Sequence, residues 1–185
     1  VTSIEDKQKN FATIVDGKVV DDCERVAVCI KGSVLGFPAT IEAIKPDFPF
    51  GTSFFLETDV LHEHQGTKPS FTIVVTPKVA KGLSGFLGRL LLIDAHERPT
   101  GIKVFDGELL AHSEDVDICQ RFIGYPGMAE KLRDLQRFNG FREFHIQGGK
   151  GLCLICPTNF KGLSYDVARE TLQVMATIAQ VLFEF

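Results

Sequence analysis

The residues whose types and spacing could do chemistry are few and scattered. His62-Glu63-His64 sets two imidazoles two positions apart, and on an extended backbone alternate side chains project to the same side. That is half of a metal site, since a catalytic zinc needs a third protein ligand. His96, His112 and Asp59 are the candidates for it, but nothing in their spacing brings them near. The sharp reading is a metal-dependent hydrolase built on His62 and His64. The plain one is a solvated polar loop ahead of Gly66.

Cys153-Leu154-Ile155-Cys156 is a C-x-x-C sequence. Redox pairs of this spacing sit at helix N-termini, where the thiol pKa falls. Here both cysteines belong to an apolar strand, and an offset of three residues puts them on opposite faces. They read as small buried residues, unable to form a disulfide with each other. The chain contains no second C-x-x-C, so a four-cysteine zinc site is not supported.

The stretch from Lys78 to Arg89 holds three basic residues, Lys78, Lys81 and Arg89, and no acid, with Gly82, Gly85 and Gly88 at every third position. Glycine-rich backbone flanked by cations can cradle an anion. It can also lie on an anionic membrane with Leu83, Phe86 and Leu87 inserted. The G-K-[ST] ending of a phosphate-binding loop is missing, and Gly85 directly follows Ser84, which excludes a nucleophile elbow. The plain reading is a flexible connection crossing a sheet. Asp21/Asp22 and Asp115/Asp117 read as solvated strand ends and turns. No Ser-His-Asp or Cys-His set can be assembled from sequence order, and no cofactor is implied.

The elements that would position these residues are clearest in the last third. Ser164 reads as an N-cap and Asp166 adds favourable first-turn charge to a helix from Tyr165. Val167, Thr171, Val174, Ile178, Val181 and Phe185 form one stripe, with Ala168, Leu172, Met175, Ala179 and Leu182 beside it. The apolar arc spans roughly 200°, about twice what one packed face requires. The excess calls for cover, either from this chain or from a second copy meeting Val181 and Phe185. Symmetric dimers are the common solution. A shorter helix is expected over Pro126 to Phe138, burying Met128, Leu132, Leu135 and Phe138 and stopped by Asn139-Gly140. Gly148-Gly149 reads as a two-residue hairpin turn that pairs Gln147 with Lys150. That register puts Phe144, Ile146, Cys153 and Ile155 on one face, and Glu143, His145, Leu152 and Leu154 on the other.

Earlier in the chain, Val1 to Lys9 reads as a loose polar segment, and Phe11 to Val15 with Lys18 to Val20 as a hairpin about Asp16-Gly17. Arg25 to Lys31 and Gly36 to Ile44 alternate as strands joined by a Gly32 to Leu35 turn. Further strands are expected at Gly51 to Val60, Pro69 to Thr76, Leu90 to Asp94 and Ile102 to Phe105. Phe48 and Phe50, set between prolines, are candidates for an exposed partner anchor.

The 185 residues suffice for one substantial core. A net charge of −4 gives no electrostatic ground for nucleic-acid binding. No run reaches the length of a membrane span and no signal peptide is visible. The odd cysteine count, five, fits reduced thiols in the cytoplasm rather than a disulfide scaffold. The chain opens at Val1 rather than Met, as a fragment would.

From Asp115 onward, Phe122, the helix through Leu132 and Leu135, Phe144-His145-Ile146 and Leu152 to Cys156 follow a pattern. It resembles the soluble region of bacterial membrane-anchored proteins of unknown function. The resemblance transfers no catalytic residue. It implies a membrane anchor preceding such a domain, and hence a place at the cytoplasmic face of a membrane if the chain is a fragment.

The expected protein is one α+β domain over 1–185. Its sheet is largely antiparallel, with a β-rich meander over 10–110 and a β-α-β-β-α unit over 115–185. Its expected function is that of a non-catalytic binding or assembly module, with a homodimer or another protein as partner. The metal-dependent hydrolase and the peripheral membrane or anion-binding module are the alternatives.

Overall fold

The computed structural model describes residues 3–20, 26–44, 51–58, 71–78 and 107–182. Its centre is one eight-stranded sheet, antiparallel at every pairing. The strands are β1 (Lys18–Val19), β2 (Val26–Val34), β3 (Phe37–Ile44), β4 (Thr52–Glu57), β5 (Thr72–Pro77), β6 (Leu109–Ser113), β7 (Glu143–Gln147) and β8 (Gly151–Cys156). Their order across the sheet is β1-β2-β3-β4-β8-β7-β5-β6. The meander β2-β3-β4 is thus present, and the C-terminal hairpin β8-β7 is inserted between it and β5. The helices are α1 (Ile4–Ile14), α2 (Val116–Ile123), α3 (Met128–Asn139) and α4 (Tyr165–Val181). The fold is therefore α+β.

One cross-strand row defines the covered face. Ile30, Ile41, Phe54, Leu154, Phe144, Val75 and Ala111 are paired in succession from β2 to β6. All of them are buried in the core that the helices share. α4 lies over β2, β4 and β8, with α3 on one flank and α1 on the other. This arrangement explains the broad apolar arc. Ala168, Leu172, Met175, Ala176 and Ile178 are all fully buried, because the helix is enclosed on three sides by its own chain. Val181 is 9% exposed within the single chain.

Several sequence expectations are corrected. The supposed loose N-terminus is α1. Ser3 Oγ accepts a hydrogen bond from the Asp6 N–H at 3.0 Å, and Glu5 and Asp6 supply first-turn negative charge. Phe11, Ala12 and Val15 enter the core from it. The β2–β3 turn is Leu35-Gly36, with φ of 50° and 86°, the two positive values of a type I′ hairpin. Gly32 sits within β2 instead. A Cβ there would strike the Val15 carbonyl, and Gly17 Cα stands 2.7 Å from the same point, so two glycines let the α1–β1 turn cross β2.

The β-α-β-β-α unit is present with its first strand, β6, ending before Asp115 and its first helix split into α2 and α3. Asp115 and Asp117 therefore mark a helix start, not a strand end. Asp115 Oδ1 accepts from the Ile118 N–H at 2.9 Å. Asp115→Ala should cost about 0.5–2 kcal/mol as a lost cap, read by thermal unfolding. α3 begins at Met128 after Gly127, whose φ is 77°, and stops at Gly140, whose φ is 56°. Met128, Leu132 and Leu135 are buried as expected, but Phe138 is 40% exposed. Successive i+3 steps on a helix drift by about 60°, which carries Phe138 off the buried stripe.

The β7–β8 loop has three residues, Gly148-Gly149-Lys150, so Gln147 pairs with Gly151 and not with Lys150. A one-residue shift inverts every side chain of a strand. Leu152 and Leu154 join Phe144 and Ile146 on the covered face, while Cys153 and Ile155 share the other with Glu143 and His145. Gly149 has φ of 71° in this loop. Gly149→Val should lose about 1–2 kcal/mol, the cost of a side chain in that region, with a lower melting temperature as the measurement.

Candidate functional site

The face of the sheet opposite the helices carries the surface most suited to binding. Its middle row runs Lys18, Lys31, Thr40, Phe55, Cys153, His145, Val74 and His112. The next row runs Cys29, Glu42, Ser53, Ile155 and Glu143. Strand alternation places these residues here because their neighbours fill the core. Phe55, Cys153 and Ile155 are half-buried and floor a trough of about 560 Å³, with Lys31, Glu42 and His145 among its walls. A volume of that size falls within the usual range of ligand sites.

His145 Nε2 lies 2.8 Å from Glu143 Oε2. That hydrogen bond draws the Glu143 carboxyl below the ordinary carboxylate range. Partial burial opposes the shift, and the charges of His145 and Arg142 reinforce it. A folded pKa below the unfolded one means that Glu143 adds stability above the ordinary carboxylate range and loses it as pH falls through the folded value. The group is 43% exposed, so screening keeps the contribution small. His145→Ala should raise the Glu143 pKa in an NMR titration.

Burial pushes the Cys153 thiol up to about 12, with the Glu42 and Glu143 carboxylates adding to the shift. The thiol is therefore no nucleophile at neutral pH. Cys156 lies on the covered face, fully buried. The C-x-x-C sequence is thus divided between the two faces of one strand. His112 is 7% exposed, with Nε2 3.4 Å from Thr76 Oγ1 and Nδ1 without a hydrogen-bond partner.

A second recess of about 560 Å³ lies where α1 meets α4, lined by Lys7, Asn10, Phe11, Thr13, Lys161 and Tyr165 among others. Lys7 Nζ donates to the Lys161 carbonyl at 2.8 Å and to that of Leu163, and stands 5.3 Å from the Phe11 ring and 5.5 Å from that of Phe160. Burial lowers its pKa. Its hydrogen bonds are spent on holding α1 to the loop before α4, so this recess is a structural joint.

The residues that sequence reasoning singled out are not brought together by the described structure. His62, His64, Lys81, Arg89 and Phe185 lie outside the described residues. So do His96, Asp59, Asp21, Asp22, Phe48 and Phe50, and the strands expected at Leu90 to Asp94 and Ile102 to Phe105. Lys78 follows β5, and its N–H donates to the Glu108 carbonyl at 2.8 Å. Val181 is on α4, within the helical layer. Among the described residues, no three His, Cys, Asp or Glu side chains are grouped to hold a metal ion, and no helix is long and apolar enough to cross a membrane. The trough escaped sequence reasoning because the misplaced hairpin register put Cys153 and Ile155 in the core. Recognising the three-residue loop would have exposed it.

No family model matches the chain, and neither does any curated protein. Among solved structures the chain is similar to the crystal structure of the mycobacterial trehalose monomycolate transport factor A, TtfA. The TM-score is 0.60 at 12% sequence identity, over 95% of this chain and 92% of that one. At that identity the likeness is one of fold alone, and it extends over nearly the whole of both chains.

Proposed function

We propose that this chain is a non-catalytic binding or assembly module that works through the sheet face opposite its described helices. The observation that carries the reading is the trough floored by Phe55, Cys153 and Ile155. Apolar side chains there remain half-exposed while the opposite face is packed by helices. The chemistry around them favours binding over turnover. The Cys153 thiol is held protonated, and the carboxylate of Glu143 is already engaged by His145. TtfA, which shares this fold, is a transport factor, and a role of that class rests on binding. This supports the reading at the level of class and not of ligand.

The test pairs binding with catalysis. An apolar fluorescent probe, anilinonaphthalene sulfonate, should bind saturably at submicromolar protein. Ile155→Gln should weaken it by at least about fivefold, the effect of losing one buried aliphatic contact. The same protein, supplied with zinc, should not turn over generic ester, phosphoester or peptide substrates. Turnover that disappears in a His62→Ala, His64→Ala variant would overturn the reading in favour of a metal-dependent hydrolase.

A further inference from the structure

The recess between α1 and α4 holds more positive charge than the joint uses. The Lys7 ammonium has three N–H donors, and two of them reach the carbonyls of Lys161 and Leu163. The rings of Phe11 and Phe160 stand 5.3 and 5.5 Å from the same Nζ. Carbonyls and ring faces carry only partial negative charge, and among the described residues no carboxylate pairs with Lys7. Burial accordingly lowers its pKa, as it does for a cation short of a counter-charge.

The hydroxyls of the recess are already paired. Thr13 Oγ1 donates to the Asn10 carbonyl at 2.6 Å, so the Tyr165 hydroxyl, 3.2 Å away, must donate to Thr13 Oγ1. The donors left over are the third N–H of Lys7, the side-chain amide of Asn10 and the ammonium of Lys161, the last two on exposed residues of the lining. Among the described residues no acid lines the recess. The acids next in sequence are engaged elsewhere. Asp6 Oδ2 accepts from Ser3 Oγ at 2.7 Å, and Asp166 pairs with Arg169 at 3.3 Å. Beside the donors the lining turns apolar, with Tyr165 37% exposed and Phe11 and Leu163 buried.

We propose that this recess binds an organic carboxylate, its anionic end on Lys7 and Lys161 and its apolar body against Tyr165 and Leu163. A volume of about 560 Å³ is more than a bare inorganic anion fills, and it lies within the range of organic ligand sites. The site is separate from the trough, which lies on the sheet face away from the described helices, and so goes beyond the binding surface proposed above. Two N–H bonds of Lys7 stay on the joint, and the third meets the ligand.

Titration with hydrocinnamate, followed by NMR of the lysine Cε–Hε groups, tests the proposal. The dissociation constant should be about 1 mM, ordinary for a small ligand on an open recess. The Lys7 signal should shift while that of Lys131 on α3 stays unmoved. Bound carboxylate should also raise the Lys7 pKa, since an opposite charge favours the charged form. Lys161→Glu should weaken binding at least about threefold. It keeps the backbone carbonyl that Lys7 uses, and circular dichroism checks its fold. Ile155→Gln, in the trough, should leave the affinity unchanged. Hydrocinnamide, which lacks the charge, and inorganic phosphate, which lacks the apolar body, should each bind more weakly. A Lys7 signal that does not respond at several times the expected dissociation constant overturns the proposal. So does hydrocinnamide or phosphate binding as tightly as hydrocinnamate, or an affinity indifferent to Lys161→Glu. Weaker binding by Ile155→Gln would place the carboxylate in the trough and overturn it as well.

Discussion

Leu154→Ala is expected to lower the unfolding free energy by about 2–5 kcal/mol, the range for emptying a buried leucine site. Leu154 is fully buried, paired with Phe54 on one side and Phe144 on the other. Its neighbour Ile155 faces the trough and is half-buried, so Ile155→Ala should cost only about 1 kcal/mol, typical of point substitutions at large. Urea denaturation of the two variants, read for midpoint and slope, gives both values. The contrast tests the hairpin register. A two-residue loop pairing Gln147 with Lys150 would move Ile155 into the core and Leu154 out, and the two costs would change places.

The second large effect is expected at the other end of the chain. Phe11 is 1% exposed and packs edge-on against Phe160 at 4.9 Å and Tyr165 at 6.0 Å between ring centroids. Phe11→Ala should therefore cost about 3–5 kcal/mol. The loss should be concentrated in α1, because α1 has only 11 residues and a helix that short is marginal in water without tertiary packing. Hydrogen exchange would show this directly: the α1 amides of the variant should lose their protection while those of β4 and β8 keep theirs. Retained protection in α1, or a cost below ~0.5 kcal/mol, would mean that the Lys7 hydrogen bonds to Lys161 and Leu163 hold the helix without the ring.

What could be read in the sequence followed the strength of local signals. α4 and the stop of α3 at Gly140 were legible because periodicity and glycine conformation point the same way. α1 was not, since only Phe11 and Ala12 of its residues are buried and its amphipathic signal is thin. The clue that stood in the sequence was Ser3 followed by Asp6, a cap and its acidic companion. The hairpin failed for a different reason. Gly148-Gly149 is a correct turn signal, but the turn closes from Gln147 to Lys150 and the strand pairing begins one residue later. Local preference sets a turn, whereas the register was decided by Leu152 and Leu154 finding Leu56 and Phe54 on β4, residues remote in sequence. The candidate site inherited that error, since the trough floored by Cys153 and Ile155 is visible only after the register is known.

The strand order has a consequence for how the molecule is made. Among the described strands β5 follows β4, yet the sheet separates them by β8 and β7. A nascent chain emerging from its N-terminus can pair β2, β3 and β4 at once, and then β5 with β6. Each of these two groups then carries a bare edge, β4 on one and β5 on the other, until residues 143–156 have been synthesised. The hairpin that joins them is the last strand material to arrive, and it closes pairings with large sequence separation, which form slowly. Unpaired strand edges template association with other chains. A chain truncated before Glu143 should thus aggregate instead of folding into a smaller version of the sheet.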